Sequence, residues 1–166
     1  MTDTPEYRLD RIFDAPRDLV WRAWTDPEIL SEWYGPGVET IIHAYDLEPG
    51  GSWLNEMKWG ENSNYSRMDF KEVTPKDRLV WHHCSTDGEW NIAPNPMMPD
   101  WPTVLLTTVT FEDQGDKTNV SLVQVPLDAS DAEMASFAEK MRGMDGGWGK
   151  GYEMIDEILE ALKAGS

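Results

Sequence analysis

Acid–base chemistry in this chain would depend on two adjacent histidines and a few carboxylates. Because neighbouring residues of a strand point to opposite faces of the sheet, His82 and His83 cannot both serve one pocket. A lone pocket histidine could act as acid or base in a cyclisation or hydration. The ordinary role of such a residue is a hydrogen-bonded place in the core. The carboxylates considered with the histidines are Glu56, Asp69 and Glu72.

No motif in the sequence specifies a reaction. There is no Ser-His-Asp order, no glycine-rich loop that would cradle a phosphate and no dinucleotide fingerprint. The three histidines and one cysteine lack C-x-x-C and H-x-x-x-H spacing, so they provide no zinc ligand set. We therefore predict no catalytic residue, no metal and no cofactor. A cyclase- or hydratase-like enzyme is kept as an alternative.

The abundance of Trp and Met points instead to a binding pocket, since nine of each occur among 166 residues. Aromatic faces and flexible thioethers accommodate a planar or irregular apolar guest. Strand alternation places Trp53 and Met57 on one face, and Trp81 and His83 on one face of another strand. The predicted ligand-binding residues are Trp33, Trp53, Met57, Trp59, Trp81, His83, Trp90, Trp101, Met144, Trp148 and Tyr152. Plain core packing is expected for Trp24, Phe70 and Phe111.

The charge balance excludes whole classes of partner. With 31 acidic and 14 basic residues, the formal net charge is −17. Such a chain is repelled by the phosphates of nucleic acids and by anionic membrane surfaces. A basic protein partner remains compatible with it.

The cysteine content and the absence of long apolar runs bear on location. Cys84 cannot form an internal disulfide because it is the only cysteine. No basic start followed by an apolar run marks an export signal, and no run approaches the ~20 residues of a membrane span. We expect a reduced, cytoplasmic, soluble protein.

Turn signals divide the middle of the chain into strands. Pro49 and Gly50 suit the two central positions of a type II turn between strands predicted over 38–47 and 52–59. A second turn at 74–77 joins strands predicted over 65–73 and 78–84. A third turn at 113–116 joins strands predicted over 103–112 and 118–125. No helix of useful length lies between these strands, which excludes a parallel βαβ architecture. A first strand over 7–13 precedes them.

Helices are predicted at both ends of this strand region. Asp14 is the expected N-cap of a first helix, and Glu28–Trp33 forms a second. The tail has apolar residues three or four apart from Met134 to Leu162, which predicts one long amphipathic helix on the sheet. Several glycines interrupt its pattern. Either the helix breaks near 145–147, or its thin face borders a cavity or admits another backbone.

The segment from Ser85 to Pro102 is predicted to be a functional loop. Loops of this length are uncommon in compact domains without a function. Its Trp and Met residues argue against disorder, because they would be unfavourable in water. We expect a flap over the open end of the sheet.

The order of motifs resembles a known family. The carrying stretches are Arg11–Pro27, Trp33–Pro36, Asp46–Trp53, Phe70–Pro75, Thr108–Glu112 and Gly146–Trp148. They are similar to bacterial homologues of the C-terminal domain of the activator of the ninety-kilodalton heat-shock chaperone's ATPase, within the START-like (SRPBCC) superfamily. The resemblance implies an α+β helix-grip fold, as a single domain over 1–166. In that fold a curved antiparallel sheet of six to seven strands wraps a long C-terminal helix, with two short helices after strand one.

The resemblance also frames the functional hypotheses. A ligand cavity between sheet and helix is implied, so we expect a non-catalytic binding module for a small hydrophobic or aromatic molecule. One alternative is a chaperone-associated protein-interaction domain. The other is the cyclase- or hydratase-like enzyme.

Overall fold

A seven-stranded antiparallel sheet organises the molecule. The computed structural model describes residues 5–34, 39–94 and 100–164, without the side chains of residues 59, 142 and 144–147. The strands run in the order β1-β7-β6-β5-β4-β3-β2. Their bounds are β1 Tyr7–Phe13, β2 Glu39–Tyr45, β3 Ser52–Trp59, β4 Asn62–Thr74, β5 Arg78–Thr86, β6 Val104–Asp113 and β7 Thr118–Pro126. This α+β architecture confirms the helix-grip prediction.

One face of the sheet, called here the inner face, carries the core. Along β6 and β7 burial alternates residue by residue, so that Val109, Phe111, Val120 and Leu122 are buried. The same alternation buries Trp53, Leu79 and Trp81, as strand periodicity predicts. Trp24, Phe70 and Phe111, which the sequence assigned to the core, are buried as well.

The turn before β3 has the geometry that the sequence predicts. The Gly51 N–H donates to the Glu48 carbonyl at 2.8 Å, and Gly50 has a φ of +89° at the third turn position. A left-handed residue there is the mark of a type II turn, and glycine adopts it without strain.

Two short helices lie between β1 and β2. Helix α1 spans Arg17–Thr25, and its N-cap is Pro16 rather than the expected Asp14. The cap makes no side-chain hydrogen bond, because the proline side chain has no acceptor atom. Helix α2 spans Pro27–Trp33 and begins one residue earlier than predicted. Its N-cap Asp26 accepts the Glu28 N–H at 3.1 Å.

The C-terminal tail forms two helices instead of one. Helix α3 covers Asp131–Lys140 behind a Ser130–Glu133 capping box, and α4 covers Met144–Ala164. A 3₁₀ turn over Met141–Gly143 separates them, so the break lies before 145–147. None of the described helices is both long and apolar enough to cross a membrane.

Gly151 shows why α4 needs a small residue. A Cβ at this position would lie 3.2 Å from the Trp33 carbonyl oxygen and 3.3 Å from Trp33 Cε3. In contrast, a Cβ at Gly149 would meet nothing within 4 Å. Close approach of the end of α2 to α4 is therefore what Gly151 allows, which selects one of the alternatives left open by the sequence.

The first part of the long loop, up to residue 94, does not form the predicted flap over the open end of the sheet. Trp90 packs edge-on against Tyr65, with ring centroids 5.3 Å apart, and the Arg67 Nη1 donates to the Trp90 carbonyl at 2.9 Å. Tyr65 and Arg67 alternate with the buried Met68, so they lie on the outer face. The loop therefore covers the outer face here. Residues 95–99 lie outside the described residues.

Candidate functional site

The central strands bring neutral polar side chains together on the inner face. Met68 of β4 is paired with Trp53 of β3 and with His83 of β5, so these residues form one row across the sheet. The next inner-face residues are Asn55 of β3 on one side of this row and Trp81 of β5 on the other side. We call Trp53, Asn55, Trp81 and His83 the unpaired patch, for the reason given below.

Aromatic rings from the helical side lie over this patch, and we call Trp24, Tyr34, Trp148 and Tyr152 the cover. The Tyr34 ring, just after α2, lies 4.9 Å from Trp53 and 6.0 Å from Trp148 of α4, centroid to centroid. Trp148 stacks on Trp24 at 6.2 Å, with 19° between the planes. Tyr152 is 6.3 Å from Trp148. The sheet and the helices thus enclose a continuous aromatic cluster.

Several buried polar atoms in this cluster have no hydrogen-bond partner among the described residues. On the sheet these are Trp53 Nε1, Asn55 Oδ1, Trp81 Nε1 and His83 Nδ1. The helices add Trp24 Nε1 and Tyr152 OH. A buried polar group without a partner costs about 1–3 kcal/mol. Such groups are rare unless a bound molecule or ordered water satisfies them.

Neighbouring buried polar groups are satisfied within the protein. The Trp33 Nε1–H donates to the Ala23 carbonyl at 2.8 Å. Gln124 Nε2–H donates to Thr107 Oγ1 at 3.2 Å, and the Thr118 hydroxyl donates to the Ala15 carbonyl at 2.9 Å. The fold therefore supplies partners over much of its core and withholds them at the unpaired patch.

The unpaired patch is electrically neutral. Burial lowers the pKa of His83 to about 4, so its imidazole is uncharged at neutral pH. Burial also raises the pKa values of Tyr34 and Tyr152, which keeps both phenols protonated. Arg11 of β1 is paired with Asp156 of α4 at the β1 edge of the sheet, with β7 and β6 between β1 and β5.

The candidate acid–base residues do not converge on His83. Glu56 faces outward, where it accepts hydrogen bonds from Ser63 at 2.7 Å and from His43 at 2.9 Å. These two bonds lower its pKa. Asp69 is also on the outer face, where it binds Arg67.

Glu72 is exposed and pairs with Arg78, and His82 points away from His83. Among the described side chains, no carboxylate therefore forms an acid–base pair with the patch histidine. Nor do the described residues contain a group of three or more His, Cys, Asp or Glu side chains placed to hold a metal ion.

The structure brings together some of the predicted ligand-binding residues. Trp53, Trp81, His83, Trp148 and Tyr152 belong to the unpaired patch and its cover. Met57 is half-buried on the same face of β3, two residues beyond Asn55.

Other predicted residues lie elsewhere. Trp33 is buried beside Trp24 with its own N–H satisfied, so it supports the cover. Trp101 packs on Phe137 of α3, with centroids 5.3 Å apart. Trp90 is on the outer face and is separated from the patch by the sheet. The side chains of Trp59 and Met144 lie outside the described residues.

The sequence-based prediction missed three members of this cluster. Asn55 lies on the predicted inner face, so strand alternation could have identified it. Trp24 was assigned to the core, and only its unpartnered N–H marks it as different. Tyr34 follows the end of α2, and no periodic pattern predicts its direction.

A surface groove at the other side of the molecule is a weaker candidate. It has a volume of about 290 Å³ and is lined by Ile12, Asp14, Asp156, Leu159 and Glu160. Its carboxylates are already paired with Arg11 and Lys163. Because none of the described side chains that line the groove has a buried polar atom without a partner, we place the candidate site at the unpaired patch.

Comparisons with known proteins agree with the fold. The model of the family described as Activator of Hsp90 ATPase homolog 1-like protein matches residues 14–160. No curated protein matches the chain by sequence.

Solved bacterial structures are similar over almost the whole chain. A crystal structure from Mycobacterium smegmatis has a TM-score of 0.76 and 20% identity, covering 95% of this chain and 96% of that one. A solution structure from Arthrobacter aurescens has a TM-score of 0.79 and 21% identity, with 97% and 90% covered. A crystal structure from Nitrosomonas europaea has a TM-score of 0.73 and 24% identity, with 99% of each chain covered.

Proposed function

We propose, from the premise that the chain belongs to the family of Activator of Hsp90 ATPase homolog 1-like proteins, that it is a non-catalytic binding module. Its ligand is one small hydrophobic or aromatic molecule, held between the sheet and α4 in a cytoplasmic protein. The fold supports this proposal because a sheet that grips a helix can enclose a guest between the two layers.

The unpaired patch is the observation that carries the proposal. Trp53 and Trp81 are only 2% and 1% exposed, yet neither indole N–H has a partner. Asn55, 1% exposed and two residues after Trp53 on β3, has an unpartnered amide oxygen. A protein that withholds partners from adjacent buried groups, while satisfying Trp33 and Gln124, leaves bonding capacity for a guest.

The cover supplies the apolar contact. Trp148 and Tyr34 lie edge-to-face at 6.0 Å, and Trp148 is half-buried rather than fully enclosed. Edge-to-face and stacked rings offer flat surfaces on which a planar guest packs. Met68 on the sheet adds a flexible thioether that adapts to the guest's outline.

A neutral fluorescent apolar probe tests the proposal directly. Titration with N-phenyl-1-naphthylamine should give saturable binding at one molecule per chain, with energy transfer from tryptophan to the probe. Native mass spectrometry of protein purified from its source should show a displaceable small molecule. Failure of both measurements would mean that the core is fully packed, and the proposal would be wrong.

A matched pair of variants locates the probe. Ser66 is half-buried on the inner face, where it is paired with Asn55, whereas Ser121 is half-buried on the outer face of β7. Ser66→Phe should weaken probe binding at least tenfold by occupying the guest's space, and Ser121→Phe should leave it unchanged. Equal effects of the two substitutions would remove the support for this location.

A chaperone-associated role is a second candidate, and the family match over residues 14–160 is the observation that favours it. The net charge of −17 suits a basic surface on such a partner. An ATPase assay with the ninety-kilodalton chaperone tests it. Stimulation at micromolar protein would support this role, and its absence would exclude it.

A further inference from the structure

The unpartnered groups differ in their bonding roles, and this limits the ligand chemistry. An indole N–H is only a donor, so Trp53 and Trp81 can be satisfied only by an acceptor atom. Their ring centroids are 6.1 Å apart, with 67° between the planes. One guest can therefore contact both rings.

Charge on the guest would have no counterpart among the described side chains. His83 is neutral because burial lowers its pKa, so it offers no cation to an anionic guest. The Arg11 guanidinium is paired with Asp156 at the β1 edge of the sheet, with β7 and β6 between β1 and β5. Glu56 faces the outer side, so it offers no carboxylate to a cationic guest. Burying an unpaired charge beside the patch would be strongly unfavourable.

The remaining patch atoms are compatible with a hydroxyl on the ligand, in addition to the acceptor that the indoles require. The Asn55 amide oxygen is an acceptor without a donor. The neutral His83 imidazole has one donor and one acceptor nitrogen, and its Nδ1 is unpartnered. A single hydroxyl on the guest can therefore satisfy either residue.

We infer that the ligand is an uncharged molecule that presents an oxygen acceptor to the indole N–H groups of Trp53 and Trp81, and that a carboxylate is rejected. This inference rests on the proposed function and makes the two tryptophans specificity determinants. The class it defines is a neutral carbonyl compound large enough to contact both rings.

Three flat molecules of similar shape test the inference: fluorene, 9-fluorenone and fluorene-9-carboxylate. Equilibrium dialysis of the full chain, below the solubility of each molecule, gives their dissociation constants. Because a hydrogen bond to a buried donor favours the ketone, fluorenone should bind about tenfold tighter than fluorene. The carboxylate should bind most weakly.

Substitution of the donors should remove this preference. Trp53→Phe and Trp81→Phe keep an aromatic ring without the N–H, so the fluorenone-to-fluorene ratio should fall toward one. Trp21→Phe is the matched control, because Trp21 packs on Phe111 outside the patch, and the ratio should be unchanged. The comparison among the three molecules in the unmodified protein stands even if a variant fails to fold.

The outcomes distinguish failure of the inference about ligand chemistry from failure of the proposed function. Equal binding of fluorene and fluorenone, or tightest binding of the carboxylate, would overturn the inference and leave the proposed function intact. A ketone preference that persists in both donor variants would overturn the assignment to Trp53 and Trp81. If none of the molecules, nor N-phenyl-1-naphthylamine, binds, both the inference and the proposed function are wrong.

Discussion

Two patches of the same inner face differ in the polarity and the hydrogen bonding of their buried side chains. The packed patch, formed by Leu79, Val109, Phe111, Val120 and Leu122, is wholly apolar and buried. The unpaired patch, Trp53, Asn55, Trp81 and His83, carries four polar atoms without partners. The first arrangement maximises burial of apolar area, whereas the second reduces stability.

The difference shows where the fold places its functional surface. At the border of the packed patch, Thr118 and Gln124 bond to groups of the protein itself. At the unpaired patch the covering residues are aromatic rings, which provide contact area and few acceptors. One patch of the sheet can therefore stabilise the fold while the other binds a ligand.

Removal of α4 should have the largest effect, because its buried residues belong to the same hydrophobic core as residues of both patches. A chain ending at Met144 loses the buried Tyr152, Ile155 and Leu159. Each buried side chain of this size contributes about 1.5–3 kcal/mol, so their sum rivals the net stability of a domain. We expect no cooperative thermal unfolding by circular dichroism. A truncated chain that melts cooperatively would contradict this assignment.

Acidification should act on the unpaired patch through His83. Its pKa is about 4 in the folded protein and about 6.5 when unfolded, so the unfolded chain binds more protons between these values. The free energy of unfolding should fall as pH drops from 6.5 to 4, by about 3 kcal/mol from this group.

Urea unfolding across this pH range measures the effect. The carboxylates titrate in both proteins, so the His83→Phe variant serves as the reference. The wild type should lose more stability than the variant on acidification. Parallel pH profiles of the two proteins would show that His83 is not held neutral by burial.

Gly151 tests how tightly the cover is fitted. Because a side chain there would press on Trp33, Gly151→Leu should lower the free energy of unfolding by about 1–3 kcal/mol. Gly149→Ala is the control in the same helix, where space is open, and it should stabilise by about 1 kcal/mol.

Thermal melts with and without N-phenyl-1-naphthylamine measure both the stability of each variant and its probe binding. Lower stability with probe binding unchanged in the folded fraction is the expected result for Gly151→Leu. Unchanged melting with lost probe binding would instead place the guest against Gly151.

The smallest expected changes in the free energy of unfolding have opposite signs for a hydrogen-bonded side chain beside the packed patch and for a side chain of the unpaired patch. Thr118→Val leaves the buried Ala15 carbonyl without its donor, so it should destabilise by about 1 kcal/mol. Asn55→Leu replaces an unpartnered amide by an apolar side chain of similar size, so it should stabilise by up to about 1 kcal/mol. Urea unfolding measures both changes. Destabilisation by Asn55→Leu would indicate that its amide is already satisfied.

Local sequence was sufficient for most of the fold. The bounds of β3 are those predicted, and the Pro49–Gly50 turn has the expected type II geometry. Alternation along β3 and β5 defined the two faces, and the large aromatic side chains of Trp53 and Trp81 correctly indicated which of them is buried. These features depend on residues close in the chain, so their patterns are visible without a structure.

The candidate site was predicted only in part. The composition indicated an aromatic pocket, but Trp90 lies on the outer face because loop residues have no periodicity to orient them. Tyr34 joins the cover through contacts with Trp53 and Trp148, which are distant in sequence. Whether the ligand-binding set functions as such stays a prediction.

By itself, the sequence determined the antiparallel sheet, the presence of helices on both sides of the strand region and which strand residues share a face, because each follows from short-range periodicity or turn chemistry. Tertiary structure alone decided which buried polar atoms find partners. Trp33 and Trp81 are both buried tryptophans, yet only Trp33 meets a carbonyl, that of Ala23. That outcome depends on how separate elements pack, and no local pattern encodes it.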